Sequence, residues 1–409
     1  MKKRIFQIGI AISIFSIALT EGNAQVAWTK KTNFGGTTRW GAVGFSIGTK
    51  AYIGLGVDVN GLSKEFWEWD QTTNVWTRKA DFGGEGRYQA VAFSIGNKGY
   101  IGTGAAGFTY PYGPIYKDFW EWDQATNVWT KKADFGGGAI GAATGFSIGS
   151  KGYIGTGLIE ADTSQGKLFW EWDQATDVWT KKADFGGEGR SDAVGFSIGG
   201  KGYLGTGEFN LNTFYKDFWE YDPVSNQWLK KADFGGEARC TAAGFSIGGQ
   251  GYIGLGGNFG SAEYRDFWGW DQATDVWTKK ADFGALTRWL AVGFSIGSNG
   301  YIATGGNFRP TYKDLWEYNP SAPQGLDEFN LPVTTISILP NPSNGKFVLN
   351  SSELKIQYLE AYNLQGKKVY AQEISAYSIP VDLNAQANGV YLLRITSEKE
   401  IITKKIIVE

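Results

Sequence analysis

The feature that most constrains this chain is a sequence block that recurs six times. The best-kept part of each copy reads, with small changes, FWEWDQATNVWTKKADFGG. Successive copies lie 48 to 53 residues apart, counted between their first tryptophans, which are Trp67, Trp120, Trp170, Trp219, Trp268 and Trp316. A nearly fixed period of this length indicates a repeat architecture in which each copy is one small structural unit.

Each copy contains four short runs with the pattern of β-strands, here named strands a to d. They are typified by VGFSIG, YIGTG, FWEWD and VWTKKA, in which aromatic and β-branched residues alternate with small or polar ones. A four-stranded unit cannot bury both of its apolar faces alone, whereas six units arranged radially bury each face against a neighbour. The predicted fold class is therefore all-β: a six-bladed β-propeller with four-stranded blades, followed by a small β-sandwich domain.

The order of the runs also predicts how the ring closes. A copy of strand d, marked by Trp28, precedes the first complete unit, and the sixth unit stops after strand c at Asn319. Residues 26–31 should therefore supply the outer strand of blade six. Joining the two ends of the repeat region in one sheet avoids a long exposed edge.

Fixed residues accompany the strands: an arginine before strand a, glycines after strand b, a Trp-Asp motif in strand c and a tryptophan in strand d. In the second copy they are Arg87, Gly102, Gly104, Trp120, Asp123 and Trp129. This pattern resembles the Kelch repeat family over residues 25–320, although the glycines are mostly spaced as Gly-Thr-Gly rather than adjacent. The chain has no histidine, which excludes the Gly-His signature of WD40 repeats and the histidine ligands of Kelch copper oxidases.

The first 24 residues have the three parts of a secretory signal peptide. Lys2, Lys3 and Arg4 precede an apolar run over residues 5–19, and Gly22 and Ala24 place small residues before a cleavage site. The alternative, a membrane anchor, is less favoured because this run is short for a bilayer. We therefore expect export across the inner membrane and no membrane span after cleavage.

The composition changes after the sixth copy. Residues 321–333 are predicted to be a linker, and residues 334–409 a separate domain. Motifs there resemble the type IX secretion-system sorting domain, and the residues that carry them are Asn341, Pro342, Gly345, Gly366, Gly389, Tyr391 and Lys405. The alternative is an ordinary immunoglobulin-like module. The resemblance implies that the type IX machinery is a partner and that the protein reaches the cell surface or the medium.

Several functional classes are disfavoured by composition. The absence of histidine removes the commonest general base and metal ligand, and we expect no cofactor and no metal. The single cysteine, Cys240, cannot form an intrachain disulfide. A formal net charge of −2 argues against nucleic acid as a partner.

One face of the propeller varies between copies and is the predicted functional face. It carries the b–c loops and the segments before strand a. Five of those segments contain an arginine, and blade three has Ile140 instead; the arginines are Arg39, Arg87, Arg190, Arg239 and Arg288. They could form an anion or polar-ligand site. The alternative is that each arginine braces its own blade.

The residue after the arginine position differs among the six copies. Blades six, one and two carry Trp289, Trp40 and Tyr88, whereas the other three carry small residues. The longest b–c loop, in blade two, adds Tyr110 and Tyr112. Such an aromatic arc could stack on sugars or hold a peptide; the alternative is that it only plugs the channel mouth.

These observations favour a secreted or cell-surface, non-catalytic module that binds a glycan or a protein. One alternative is a carbohydrate-active enzyme of the sialic-acid mutarotase kind, for which Arg39, Arg87, Glu85 and Glu188 are candidates. The other is a structural or adhesion component of the cell surface. Fold alone does not choose among them, and the sequence names no ligand.

Overall fold

The computed structural model describes residues 27–107, 113–159, 166–259, 262–306, 310–322, 336–351, 355–363, 367–397 and 401–409. The predicted signal peptide, most of the predicted linker, Tyr110, Tyr112 and Gly366 lie outside these residues. Within them the regular structure is β-strand and no α-helix occurs. Accordingly, the described part of the chain contains no helix that could cross a membrane.

The described part of residues 27–322 forms six four-stranded antiparallel sheets, as the repeat predicts. In each sheet the strands lie in the order a, b, c, d. The strands of blades one to three are Val43–Ile47, Lys50–Gly54, Phe66–Asp70 and Val75–Arg78; Val91–Ile95, Lys98–Gly102, Phe119–Asp123 and Val128–Lys132; Thr144–Ile148, Lys151–Gly155, Phe169–Asp173 and Val178–Lys181. Those of blades four to six are Val194–Ile198, Lys201–Gly205, Phe218–Asp222 and Gln227–Lys231; Ala243–Ile247, Gln250–Gly254, Phe267–Asp271 and Val276–Lys280; Val292–Ile296, Asn299–Ala303, Leu315–Tyr318 and Trp28–Lys30.

The a strands contact one another in sequence around a ring, and the last contacts the first. Blade six takes its outer strand from the beginning of the described chain. There Trp28 pairs with Tyr318, and Lys30 pairs with Trp316. The predicted closure of the ring is thus confirmed for residues 28–30.

Alternation of large and small residues lets neighbouring blades pack closely. The ring of Phe45, in strand a of blade one, lies against Gly99, in strand b of blade two; a Cβ atom at Gly99 would lie 1.9 Å from it. The same pairing joins Phe93 to Gly152 in the next blade. In blades two to six the equivalent glycine of strand b meets a phenylalanine ring in this way, which explains why it recurs. Blade one has Ala51 at this position.

Repeated Trp, Asn and Gln side chains hydrogen-bond a blade to the one before it, as blade two shows with blade one. Trp129 Nε1 donates to the carbonyl of Ala80 at 3.1 Å, and the Ala80 amide donates to Asn127 at 3.0 Å. Gln124 donates to the hydroxyl of Tyr52 at 2.7 Å. These buried or half-buried groups give the blade interfaces directional bonds as well as aromatic packing.

Beyond residue 335 the described chain forms two antiparallel sheets. One contains Ile336–Leu339, Lys346–Ser351 and Ser378–Asp382; the other contains, in spatial order, Lys368–Ala376, Ile356–Asn363, Gly389–Ser397 and Ile401–Val408. Phe347 and Leu349 of the first sheet share a buried core with Leu359 and Leu393 of the second. This is the sheet-on-sheet packing of a β-sandwich, as predicted.

Candidate ligand-binding site at the mouth of the channel

The segments before strand a and the b–c loops lie on one face because they pair with each other. Trp40 bridges to Val57, Ser191 to Glu208, and Cys240 to Gly257. Short hairpins extend several b–c loops; they are Val57–Asp58 with Gly61–Leu62, Glu208–Phe209 with Thr213–Phe214, and Gly257–Asn258 with Ala262–Glu263. In blade three Ile140–Gly141 pairs with Leu158–Ile159. This is the face expected to be functional.

The five arginines on this face are buried and bonded within their own blades. Arg87 is 0% exposed and donates to Asp118 from both terminal nitrogens, at 2.5 and 2.9 Å. It also donates to the carbonyls of Glu85 and Thr103. Arg190, Arg239 and Arg288 repeat this geometry with Asp217, Asp266 and Asp314, and Arg39 uses Glu65.

Aromatic rings enclose the guanidinium groups. That of Arg190, for example, lies 4.8 Å from the ring centroid of Phe185 and 4.1 Å from that of Tyr215. Blade three lacks both members of the ion pair: Ile140 and Leu168 stand in their places and pack in the same apolar cluster. These contacts favour the bracing interpretation of the arginines. Glu85 and Glu188 are exposed.

The aromatic arc is largely covered by the b–c loops. Trp40 and Tyr88 meet edge to face, with ring centroids 5.3 Å apart, in an apolar cluster that includes Ile115. Tyr88 is 5% exposed and Trp289 is 7% exposed, and Trp289 packs against Phe259. Trp40 is half-buried. The arc thus supports the loops, and only part of its surface faces solvent.

In each blade, the residue two positions after the arginine position lies at the channel mouth. These six residues form a closed ring around it. Each amide in the ring donates to the carbonyl of the equivalent residue in the preceding blade, over 3.0 to 3.3 Å. All six have left-handed φ angles between 50° and 62°; they are Gly41, Gln89, Ala142, Asp192, Thr241 and Leu290. The backbone is therefore sixfold symmetric here while the side chains all differ. The sequence analysis missed these residues, although their variation at a fixed position was a visible signal.

Two members of this ring meet across it. Gln89, from blade two, donates from Nε2 to Oδ1 of Asp192, from blade four. Both line a pocket with Tyr88, Ser191 and Glu208. The other walls of the pocket are mainly apolar and include Ala105, Ile115, Leu158 and Leu211.

The pocket is acidic. Glu208 is 1% exposed and accepts hydrogen bonds from the Ser191 hydroxyl at 2.6 Å and the Leu211 amide at 2.5 Å. Burial, and then the negative charge of Glu208, raise the pKa of Asp192 to about 7, although the bond from Gln89 opposes them. Asp192 therefore changes its charge near neutral pH.

Cys240, the small residue of blade five, is fully buried. Burial, and then the charges of Asp192 and Glu208, raise the pKa of its thiol, which stays protonated. A protonated thiol is neither a good nucleophile nor a metal ligand. Within the described residues no group of His, Cys, Asp and Glu side chains could hold a metal ion.

Several predicted sorting residues make contacts that hold the C-terminal domain together. Asn341 donates to the carbonyl of Lys405 at 3.1 Å and accepts from the amide of Ile407 at 3.0 Å. Gly345 has a φ of 94°, and Asn384 leaves no room for a Cβ atom there. Tyr391 is buried and donates to the carbonyl of Ala387 at 2.5 Å. The two Asn341 bonds tie the final strand to the start of the domain.

Comparison with known proteins separates the two parts of the chain. Residues 337–409 match the family model of the secretion system C-terminal sorting domain. No curated protein matches the chain. A solved structure entitled "Structure of YjhT" superimposes with a TM-score of 0.59 over 71% of this chain and 95% of that one, at 17% sequence identity, which is a likeness of fold. The chain therefore combines an all-β, propeller-like body with a C-terminal segment that matches the sorting-domain family.

Proposed function

We propose that this protein is exported by the type IX secretion system and that its propeller is a non-catalytic module that binds a glycan or a protein at the channel mouth. The observation that carries the binding role is the ring of six equivalent backbone positions with six different side chains. Structural requirements act equally on every blade, so side chains that differ among otherwise matching copies point to a ligand.

The pocket beside this ring has the composition of a binding site. Its apolar walls, including part of Tyr88, can cover carbon atoms, and the polar side chains of Gln89, Ser191, Asp192 and Glu208 line the same pocket. Apolar walls with a few converging polar groups are the usual form of a small-ligand site. The arginines do not enter this proposal, because their guanidinium groups are bonded inside the blades.

The export role is supported by the C-terminal segment. Its match to the sorting-domain family covers residues 337–409, and residues 1–24 have the pattern of a signal peptide. Together they describe a protein that leaves the cytoplasm first and then crosses the outer membrane. We propose the cell surface or the medium as its destination.

One observation favours a second candidate, a carbohydrate-active enzyme. A carboxyl group whose pKa lies near 7 can act as a general acid or base at neutral pH, and Asp192 is such a group. The residues that would do this work are Asp192 and Glu208. Glu85 and Glu188, the candidates from sequence, are exposed.

A glycan array and a screen of surface-protein fractions, both with the purified mature protein, test the binding role. The matched variants are Gln89→Ala at the pocket and Glu188→Gln on the exposed rim. We expect ligands that bind the wild type and Glu188→Gln equally but lose affinity for Gln89→Ala. No bound glycan or protein, or equal loss in both variants, would contradict the proposal; turnover of a bound sugar would select the enzymatic alternative.

A further inference from the structure

We infer that the pocket between blades two, three and four binds a primary ammonium group. This inference deepens the proposed binding function and rests on it. The group would enter with one or two methylene carbons, and the rest of the ligand would lie over the channel mouth.

The size of the cavity sets the size of the group. The pocket has a volume of ≈ 60 Å³, well below the roughly 300–1,000 Å³ of a pocket that encloses a drug-sized ligand. That volume suits one small group at the end of a ligand, such as an ammonium on a short carbon stem, better than a whole sugar ring. A second cavity of ≈ 170 Å³ adjoins the pocket and shares Gln89, Ala142 and Asp192 with it, so the remainder of a ligand has room beside the pocket.

The walls suit a carbon stem with a charged end. Tyr88, Ile115 and Leu158 contribute apolar surface on the side of blades two and three. Asp192 and Glu208 contribute carboxylates on the side of blade four. A primary amine offers three N–H donors and no acceptor, and it matches a pocket whose charged groups are acceptors.

The charges around Asp192 favour a cation. Asp192 accepts a hydrogen bond from the neutral amide of Gln89, and the negative charge of another carboxylate, Glu208, acts on it. Cys240, packed behind them, is a neutral thiol. The neighbouring guanidinium groups of Arg190 and Arg239 are bonded to Asp217 and Asp266. An ammonium ion would therefore compensate a charge that is costly to bury.

Two matched pairs of probes test the inference on the full mature chain by calorimetric titration at pH 8. The first is Nα-acetyl-lysine methylamide against its norleucine analogue. The second is 6-amino-6-deoxyglucose, whose amine stands on one methylene carbon, against glucose. The first pair represents a protein source of the amine and the second a glycan source. We expect the ammonium member of at least one pair to bind about tenfold or more tightly than its neutral partner, as a buried charge pair requires.

Two variants locate the effect. Asp192→Asn, which preserves shape, should abolish the preference for the ammonium probe, whereas Asp184→Asn, an exposed control in blade three, should leave it intact. A thermal melt of each variant confirms that it is folded. Lowering the pH to 5.5 should weaken wild-type binding by about tenfold, because Asp192 becomes protonated while an alkylamine keeps its charge.

The outcomes separate this inference from the binding function on which it rests. Equal affinity for charged and neutral probes, an undiminished preference in Asp192→Asn, or no binding of any probe overturns the ammonium site. The binding function survives those results if the array still yields a ligand that is sensitive to Gln89→Ala. It fails together with the inference if the array also yields none.

Discussion

Arg190 and Asp217 form two parallel hydrogen bonds inside blade four, from Nη1 to Oδ1 at 2.6 Å and from Nη2 to Oδ2 at 2.9 Å. The pair is part of the repeat, and blade three replaces it with Ile140 and Leu168, which belong to the same apolar cluster. A side-chain pair that changes both members at once acts as one structural unit. The arginine of the repeat is thus explained by the carboxylate of its own blade.

This relationship predicts that replacing the arginine alone lowers stability and that replacing its carboxylate partner as well restores most of it. Arg190→Ile should lower the free energy of unfolding by about 3–5 kcal/mol, because Asp217 is left without its partner. Adding Asp217→Leu should restore most of that loss, as the natural pair in blade three does. Denaturant melts of the wild type and both variants measure this. A double variant no more stable than the single one would contradict the pairing argument.

Because the first described strand closes the ring, removing that strand should greatly lower the stability of the propeller. A mature protein that begins at Gly35 should expose strand c of blade six and melt at a sharply lower temperature. Trp28→Ala alone should cost ~3–5 kcal/mol, since Trp28 is 7% exposed and packs against Phe267 and Phe283. Thermal denaturation is the measurement, and an unchanged melt for the trimmed protein would refute closure.

The raised pKa of Asp192 predicts a pH-dependent effect on stability. Its pKa is about 7 in the folded state and about 3.9 in an unfolded chain. Between these values the folded state holds a proton that the unfolded state releases, so this group's contribution falls as pH rises from about 4 to 7. Asp192→Asn removes the dependence. Its melting temperature should match the wild type near pH 4 and exceed it increasingly up to pH 7. A constant difference between the two would contradict the shift.

The aromatic arc can be tested separately from the pocket. The sequence predicts that Trp40→Ala and Trp289→Ala abolish ligand binding while the fold stays near its normal stability. The burial of Trp289 adds an expected loss of ~3 kcal/mol or more for that variant, and the half-buried Trp40 should cost less. Binding titrations beside thermal melts distinguish the two effects. If Trp40→Ala folds and binds normally, the arc does not contact ligand.

Ser191 is one of the three small residues that stand where the other blades carry the aromatic arc. The sequence predicts that Ser191→Ala has little effect on binding. Its hydroxyl donates to the buried carboxylate of Glu208. Removing that bond should weaken binding at the pocket measurably, by about 1 kcal/mol. The same titration decides between these expectations, and unchanged affinity would support the simpler one.

The sorting role predicts the fate of a truncated protein. Deleting residues 334–409 should leave a folded propeller in the periplasm, because the two domains are expected to fold independently. Cell fractionation with an antibody to the propeller measures this. Appearance of the truncated protein at the cell surface or in the medium would contradict the sorting assignment.

The sequence by itself determined the parts of this protein that the repeat controls. Strand order, blade number and the closure by Trp28 follow from hydrophobic alternation and from the six copies, because each blade needs a neighbour on both faces. The observed strands lie close to the predicted strands a to d because the same alternation marks them in every copy. The C-terminal domain was likewise recognisable, since its motifs are local in sequence.

Only the tertiary structure decided what the polar residues do. Arg190 and Asp217 are 27 residues apart, and the direction of a guanidinium group depends on packing that no local pattern encodes. Gln89 and Asp192 are 103 residues apart, and they meet because the ring brings blades two and four to a common channel mouth. The sequence analysis predicted the site at the arginines and the residues after them, whereas the pocket proposed here also uses the next residue along the chain, Gln89 or Asp192. Which of two adjacent residues turns toward the channel is set by the left-handed backbone there.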